Sequence, residues 1–320
     1  MKEAVFVKQN LRKWREYEDS MTQMSEQSPD TLADMYTDLT SDLAFAQTHF
    51  PESRITQYLN HLSLTLHNEI YKGHHEKWSR LLTFWTREVP RAMYGARREM
   101  LTSLVVFCIA LLIGVLSTLG DESFARIILG DGYVDMTIDN IRNGVPTNVY
   151  STGGETESFL MIAFNNLRVG IIAFGMGVFT SLGTGYILVH NGIMVGSFLS
   201  FFVHYGVFGE AFLAIMQHGT LEISTIVLEG GAGIVLGNGW LFPGTYSRIE
   251  SFKRSAKRGL KIAVGVMPVV ILAAFIEGFI TRHVEYPVEL RIMVIVLSAA
   301  FILYYYVLLP YKVGHRERES

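Results

Sequence analysis

The sequence predicts an all-α polytopic membrane protein of about six transmembrane helices, preceded by an N-terminal cytoplasmic helical domain. Three observations predict it. From Met100 to Pro310, apolar stretches follow one another, each near the roughly 20 residues that a helix needs to cross the hydrocarbon of a bilayer. Up to Arg98 the chain is instead charged and helix-patterned, and this part dilutes the mean hydropathy of the whole to +0.26. Basic and acidic segments alternate between the apolar stretches, as orientation by positive charge requires. The chain thus divides into a helical domain at 1–98, a membrane domain at 99–310 and a tail at 311–320. Within the membrane domain lie an extracytoplasmic loop at 121–157 and a basic cytoplasmic loop at 242–259.

The N-terminal helices follow from apolar spacing. Ala4, Val7, Leu11, Trp14 and Met21 recur every three or four residues with Lys8, Arg12, Lys13 and Arg15 between them. That pattern is a helix lying on a surface, either lipid headgroups or its own domain. Ser28-Pro-Asp30 starts a second helix whose stripe is Leu32, Met35, Tyr36, Leu39 and Leu43. Pro51-Glu-Ser53 starts a third, with Ile55, Tyr58, Leu59, Leu62 and Leu66. A further helix carries Trp78, Leu81, Leu82 and Trp85 and is broken at Pro90. His74 and His75 are adjacent, so on a helix they point different ways and read as a solvated pair rather than metal ligands.

The predicted spans are Met100–Gly120, Phe159–Val189, Gly192–Phe208, Gly219–Leu241, Leu260–Ile280 and Leu290–Leu309; the second is long enough to tilt or break. Arg87, Arg91, Arg97 and Arg98 precede the first span. Arg248, Lys253, Arg254, Lys257, Arg258 and Lys261 follow the fourth, and Lys312, Arg316 and Arg318 follow the sixth. The loop after the first span carries Asp121, Glu122, Asp131, Asp135, Asp139, Glu155 and Glu157 against Arg126 and Arg142. Both termini are therefore expected in the cytoplasm. A cysteine introduced near Asp135 should react with an impermeant thiol reagent in intact cells, and one near Lys257 should not; the reverse pattern would invert the topology. No cleavable signal peptide is expected, since Met1 to Arg15 lacks a continuous apolar core. The single cysteine, Cys108, excludes an intrachain disulfide and a zinc-cysteine cluster.

The residues out of place in lipid are His218, Glu222 and Glu229, spaced i, i+4, i+11 on one stripe of a predicted span. A carboxylate at the bilayer centre costs roughly 2.5 to 3.5 kcal/mol on insertion scales, so such groups face a bundle interior, a cavity or an ion. Asn166 and Glu277 are candidates for the same polar cluster, and Arg168 is the natural counter-charge. Asn165, Asn166 and Asn191 fall at predicted span ends, where helix capping is expected. Gly177, Ser181 and Gly185 form one small-residue ladder, and Gly192, Gly196 and Ser200 another, for close packing within the bundle or between copies. The run Gly230-Gly-Ala-Gly233 with Gly237 and Gly239 fails the dinucleotide fingerprint, because position 236 is Leu and no strand precedes it; close helix packing is expected instead. His218 and Glu222 are half of a metal site that His204 or Glu277 would have to complete. The zincin pattern and a nucleophile elbow are both missing, so no metal, cofactor or catalytic residue is assigned.

A family resemblance joins these parts. Phe6 to Tyr17 with Trp14, then Leu32 through Tyr36 to Asp42-Leu43-Ala44 and Tyr58, resemble the opening of the stage II sporulation protein M family, also called DUF95. The membrane core continues the resemblance through Phe164-Asn-Asn166, Gly175, Gly177, Thr180, Gly185, Asn191-Gly192, Gly196, His218-Gly219, Glu222 and Gly230 to Gly233. Family members often place a proline directly before that histidine, where this chain has Gln217. The resemblance implies a multi-pass protein of a bacterial or archaeal inner membrane. The family's namesake is understood as an anchor that assembles peptidoglycan hydrolases during engulfment, although members are widespread in organisms that never sporulate. The expectation is a non-catalytic scaffold contacting the lipid bilayer, a second copy of itself, and protein partners through the cytoplasmic domain and extracytoplasmic loop, with no nucleic acid. A small-solute or ion transporter using the His/Glu cluster is the alternative, and an intramembrane metalloenzyme the third.

Overall fold

The computed structural model describes residues 2–21, 29–72, 78–147, 154–283 and 286–319. His74, His75 and Ser28 lie outside them. The described residues are helical with no strand, and form two compact units, Met1–Leu81 and Leu82–Ser320.

The first unit brings together α1 (Glu3–Met21), α2 (Pro29–His49) and α3 (Arg54–Lys72). Their apolar stripes meet around Trp14, Leu39, Leu59 and Leu66, all fully buried. The helix stripe of α1 is thus spent on its own domain, through Phe6 and Trp14. At the edge of this core the Trp14 indole N–H donates to Asp42 at 2.8 Å, and the Tyr17 hydroxyl donates to Asp38 at 2.9 Å. Lys13 reaches both carboxylates, at 2.7 Å from Asp42 and 2.9 Å from Asp38. The Lys13 ammonium, with the Tyr17 hydroxyl beside it, holds the Asp38 carboxyl below the usual carboxylate range. Ser53 starts α3 as its sequence suggests, its Oγ accepting from the Ile55 N–H at 3.1 Å.

The second unit begins at Leu82, earlier than the boundary at Arg98 that charge patterning suggests. α4 (Trp78–Thr83) runs through a π turn at Phe84–Glu88 into α5 (Val89–Gly95). Val89, Ala92, Met93 and Ala96 are then buried in one cluster with Leu228, Ala232, Ile262 and Val266 of later helices. Pro90 does not break this path: it comes just after the π turn, and the Trp85 carbonyl five residues before it accepts from the Tyr305 hydroxyl at 2.7 Å.

Six helices of this unit are long and apolar enough to cross a membrane. In chain order, α6 (Arg97–Gly120) leads to two short helices, α7 (Ser123–Leu129) and α8 (Asp131–Arg142). Arg126 ties these two together through Asp131 at 3.2 Å and Asp135 at 2.8 Å. α9 (Glu155–Gly175) tightens into a 3-10 turn at Met176–Phe179 before α10 (Ser181–His204). α11 (Phe208–Leu241) is the long central helix, and α12 (Arg248–Phe275) ends in a π turn at Ile276–Thr281. α13 (Val288–Ile302) passes through a π turn at Leu303–Leu308 into α14 (Leu309–Glu319).

Two predicted spans are corrected. The second does not run from Phe159 to Val189, and the third is not Gly192–Phe208; the chain turns at Thr180, and the third span is Ser181–His204. Thr180 has φ 93°, a left-handed conformation that a non-glycine residue adopts only under constraint, and its hydroxyl accepts from the Leu182 N–H at 3.4 Å. Hydropathy stays high across this turn, which is why the apolar pattern hides it. Asn166 consequently lies inside α9 and Asn191 inside α10, so neither caps a helix end. The Asn191 amide donates to the Ile187 carbonyl at 2.8 Å.

The turn also divides the first small-residue ladder. Gly177 lies against the Gly233 backbone, Ser181 donates to Asn238 at 2.7 Å, and a side chain at Gly185 would meet nothing within 4 Å. Gly192 and Gly196 face α6, where a Cβ on Gly192 would fall 2.7 Å from that of Ala110. The glycines of α11 let neighbouring helices touch it: Gly233 meets the Ala173 carbonyl and the Thr184 side chain, and Gly237 the backbone of Thr180 and Ser181.

Candidate functional site

α11 is continuous through Gln217, whose side chain folds back to the Leu213 carbonyl at 3.3 Å, so the histidine that follows sits within a regular helix. His218 and Glu222 are one turn apart on its face, as i, i+4 spacing dictates. Glu277 comes to them from the π turn that ends α12. The next residue, Gly278, admits α9 closely: a Cβ there would lie 3.0 Å from the Phe159 Cα.

His218 is 3% exposed. Its Nδ1 lies 3.0 Å from the Thr281 hydroxyl and its Nε2 4.0 Å from Glu277 Oε2. One side-chain acceptor atom from each of His218, Glu222 and Glu277 lies within 4.8 Å of the others. The Asn166 amide donates to Glu222 Oε1 from α9. Among the described residues no Lys or Arg forms an ion pair with Glu222, Glu277 or Glu229. Arg168 is exposed and pairs with none of them, so the expected counter-charge is corrected.

Two clefts open between α9 and α10 with α11 as their floor. The larger, about 830 Å³, is lined by His218, Glu222, Glu277 and Asn166, with Tyr133 of α8 at its wall. The smaller, about 390 Å³, is lined by Glu222, Glu229, Asn166, His190 and Asn191. Glu222 and Asn166 belong to both. Glu229 is 4% exposed and forms no hydrogen bond or ion pair among the described residues. Gly170 makes its space, since any side chain there would overlap the Glu229 carboxylate.

The expected stripe therefore divides, with His218 and Glu222 joined by Glu277 in one cleft and Glu222 and Glu229 in the next. His204, the other residue able to complete a His/Glu set, is elsewhere, 2.7 Å from the Thr118 carbonyl. Sequence reasoning missed Thr281, Tyr133 and His190. Thr281 had a usable signal, four residues after Glu277 at helical spacing. Tyr133 had none, because it lies in a loop helix remote in sequence. Chemically, an imidazole and paired carboxylates offer acceptor atoms to a cation or a path for a proton.

The fold and cluster define a class: a polytopic α-helical membrane protein with a His/Glu/Glu group, its histidine buried and its carboxylates half-buried, between its central span and the end of α12. The family model described as Stage II sporulation protein M matches residues 103–282, more than half of the chain, and the protein belongs to that family. A second model, a domain of unknown function (DUF8413), matches residues 4–72. No curated protein and no solved structure matches the chain.

Proposed function

We propose that this protein passes a small cation across a membrane, with Glu222 as the central relay. One observation carries the reading: Glu222 lines both clefts, so ionisable groups follow one another beside α11, from His218 and the Glu277 of the neighbouring π turn, through Glu222, to Glu229. Charged groups are retained within spans where they line an ion pathway. In this reading the protein lies in the inner membrane of a prokaryote with both termini in the cytoplasm, acts without a catalytic step, and works as a homodimer. The test is flux in proteoliposomes under an imposed cation or proton gradient. Wild type should dissipate the gradient, and Glu222→Gln, which keeps the shape and one hydrogen-bonding pattern but not the charge, should lose at least about nine-tenths of that rate while melting normally. Wild-type liposomes no leakier than empty ones would sink the reading.

The second reading is a scaffold that assembles protein partners. What favours it is the compact N-terminal unit, which has a core of its own and a family model separate from that of the membrane unit. Partners would dock there and on α7–α8.

A further inference from the structure

We infer that His218, Glu222 and Glu277 form a binding site for one divalent transition-metal cation of the manganese-to-zinc series. The inference deepens the transport reading by naming the cation, and rests on it only for the claim that the ion moves.

Four features converge on a metal. The donor set is one imidazole and two carboxylates, which suits borderline ions such as Zn²⁺ and Mn²⁺; a site of oxygens alone would suit Mg²⁺ or Ca²⁺, and thiolates would suit Cu⁺. The spacing fits as well. Ligands bind such ions at about 2.0 to 2.2 Å, so donor atoms sharing one ion stand about 3 to 4 Å apart. His218 Nε2 and Glu277 Oε2 stand 4.0 Å apart, and one donor atom from each of the three residues lies within 4.8 Å of the others, near enough for one ion to draw them together.

The surroundings are arranged as the outer layer of a metal site usually is. His218 Nδ1 lies at hydrogen-bonding distance from the Thr281 hydroxyl, and in the tautomer in which Nδ1–H donates there, the Nε2 lone pair faces Glu277. Asn166 holds one oxygen of Glu222 and leaves the other for the ion. The adjoining cleft of about 830 Å³ supplies an entry path and room for water to complete the coordination. Finally, the charge is unbalanced. Among the described residues, two carboxylates face one another in a membrane-spanning unit with no Lys or Arg paired to either, and the carboxylate of Glu229 beyond them, nine-tenths buried, has no partner. A bound dication supplies the positive charge that the polypeptide withholds.

The experiment uses the full chain, purified in detergent and stripped with EDTA, titrated calorimetrically with ZnCl₂, MnCl₂ and MgCl₂. Wild type should bind one Zn²⁺ or Mn²⁺ per chain in preference to Mg²⁺ and melt higher when loaded. Glu277→Gln should weaken binding at least about tenfold, yet melt no lower than wild type when metal-free, because it removes one of two facing charges. Should that variant fold poorly, Thr281→Val, which touches no ion, should still weaken binding by roughly 10- to 100-fold through loss of the ring's support. No stoichiometric binding by wild type, binding unchanged in both variants, or preference for Mg²⁺ overturns the site. Proteoliposome flux separates the two claims. Flux without Zn²⁺ or Mn²⁺ binding overturns the metal site and leaves the pathway, whereas binding without flux upholds the site and overturns the pathway.

Discussion

Gly196→Leu is expected to destabilise the membrane unit by at least about 3 kcal/mol, the upper end for overpacking a closed interior. The missing Cβ of Gly196 faces the Leu111 carbonyl of α6, and the missing Cβ of Gly114 on α6 faces the Ile193 carbonyl of α10. The approach is mutual and backbone to backbone, so no flexible side chain can move aside, and a branched residue must push the helices apart. Without a hydrophobic driving force between helices in lipid, such close packing is much of what holds them together. Gly185→Leu is the control on the same helix. A Cβ there meets nothing within 4 Å, and the change should cost less than about 1 kcal/mol. Unfolding in detergent decides the matter. Equal damage from both variants would show that the α6–α10 contact is not the sensitive one, and a Gly196→Leu protein that stays folded but becomes monomeric would place this stripe between copies.

Trp14→Ala should destabilise the N-terminal unit by about 3 to 5 kcal/mol, as expected when a large aromatic side chain is removed from a core. Trp14 is fully buried against Phe6, with ring centroids 5.4 Å apart, and stands 6.4 Å from Tyr58. Its loss also leaves Asp42 without the indole donor, although Lys13 remains beside that carboxylate. Hydrogen exchange should show amides of α1, α2 and α3 losing protection while those of α6, α10 and α11 keep theirs, because each unit has its own core. Protection lost uniformly across the chain would show that the units melt as one. The same variant discriminates between functions. Unchanged cation flux with lost cellular activity would favour partner assembly through the N-terminal unit.

Much of the architecture is legible in the sequence because lipid demands it. Helical fold, number of spans and family all follow from long apolar segments and a few polar residues within them. Where the reading failed, the reason was local. Between Phe159 and Val189 hydropathy records burial in an apolar medium and is blind to a turn made by Thr180, whose neighbours are apolar or small. Arg168 was misplaced for a geometric reason already present in the chain: Asn166 faces Glu222, and a residue two positions on points about 200° away around a helix. Glu277 could be suspected as an acid in a span but not located, since only tertiary packing brings α12 to α11. The pairing of His218 with Glu222 was the readable part of the site, because it depends on helical spacing alone.

The π turn at Ile276–Thr281 makes the third acid a matter of phase. Such a turn is one residue too many for its helix, equivalent to a single inserted codon within α12. Removing that codon upstream of Glu277 would restore regular winding and swing the carboxylate by about 100° out of the cleft while leaving every amino acid of the cluster in the gene. A lineage could thus gain or lose this arm of the cluster by one in-frame indel, without substituting His218, Glu222 or Glu277. Among relatives, the length of this segment would then carry functional information that the identity of its residues does not.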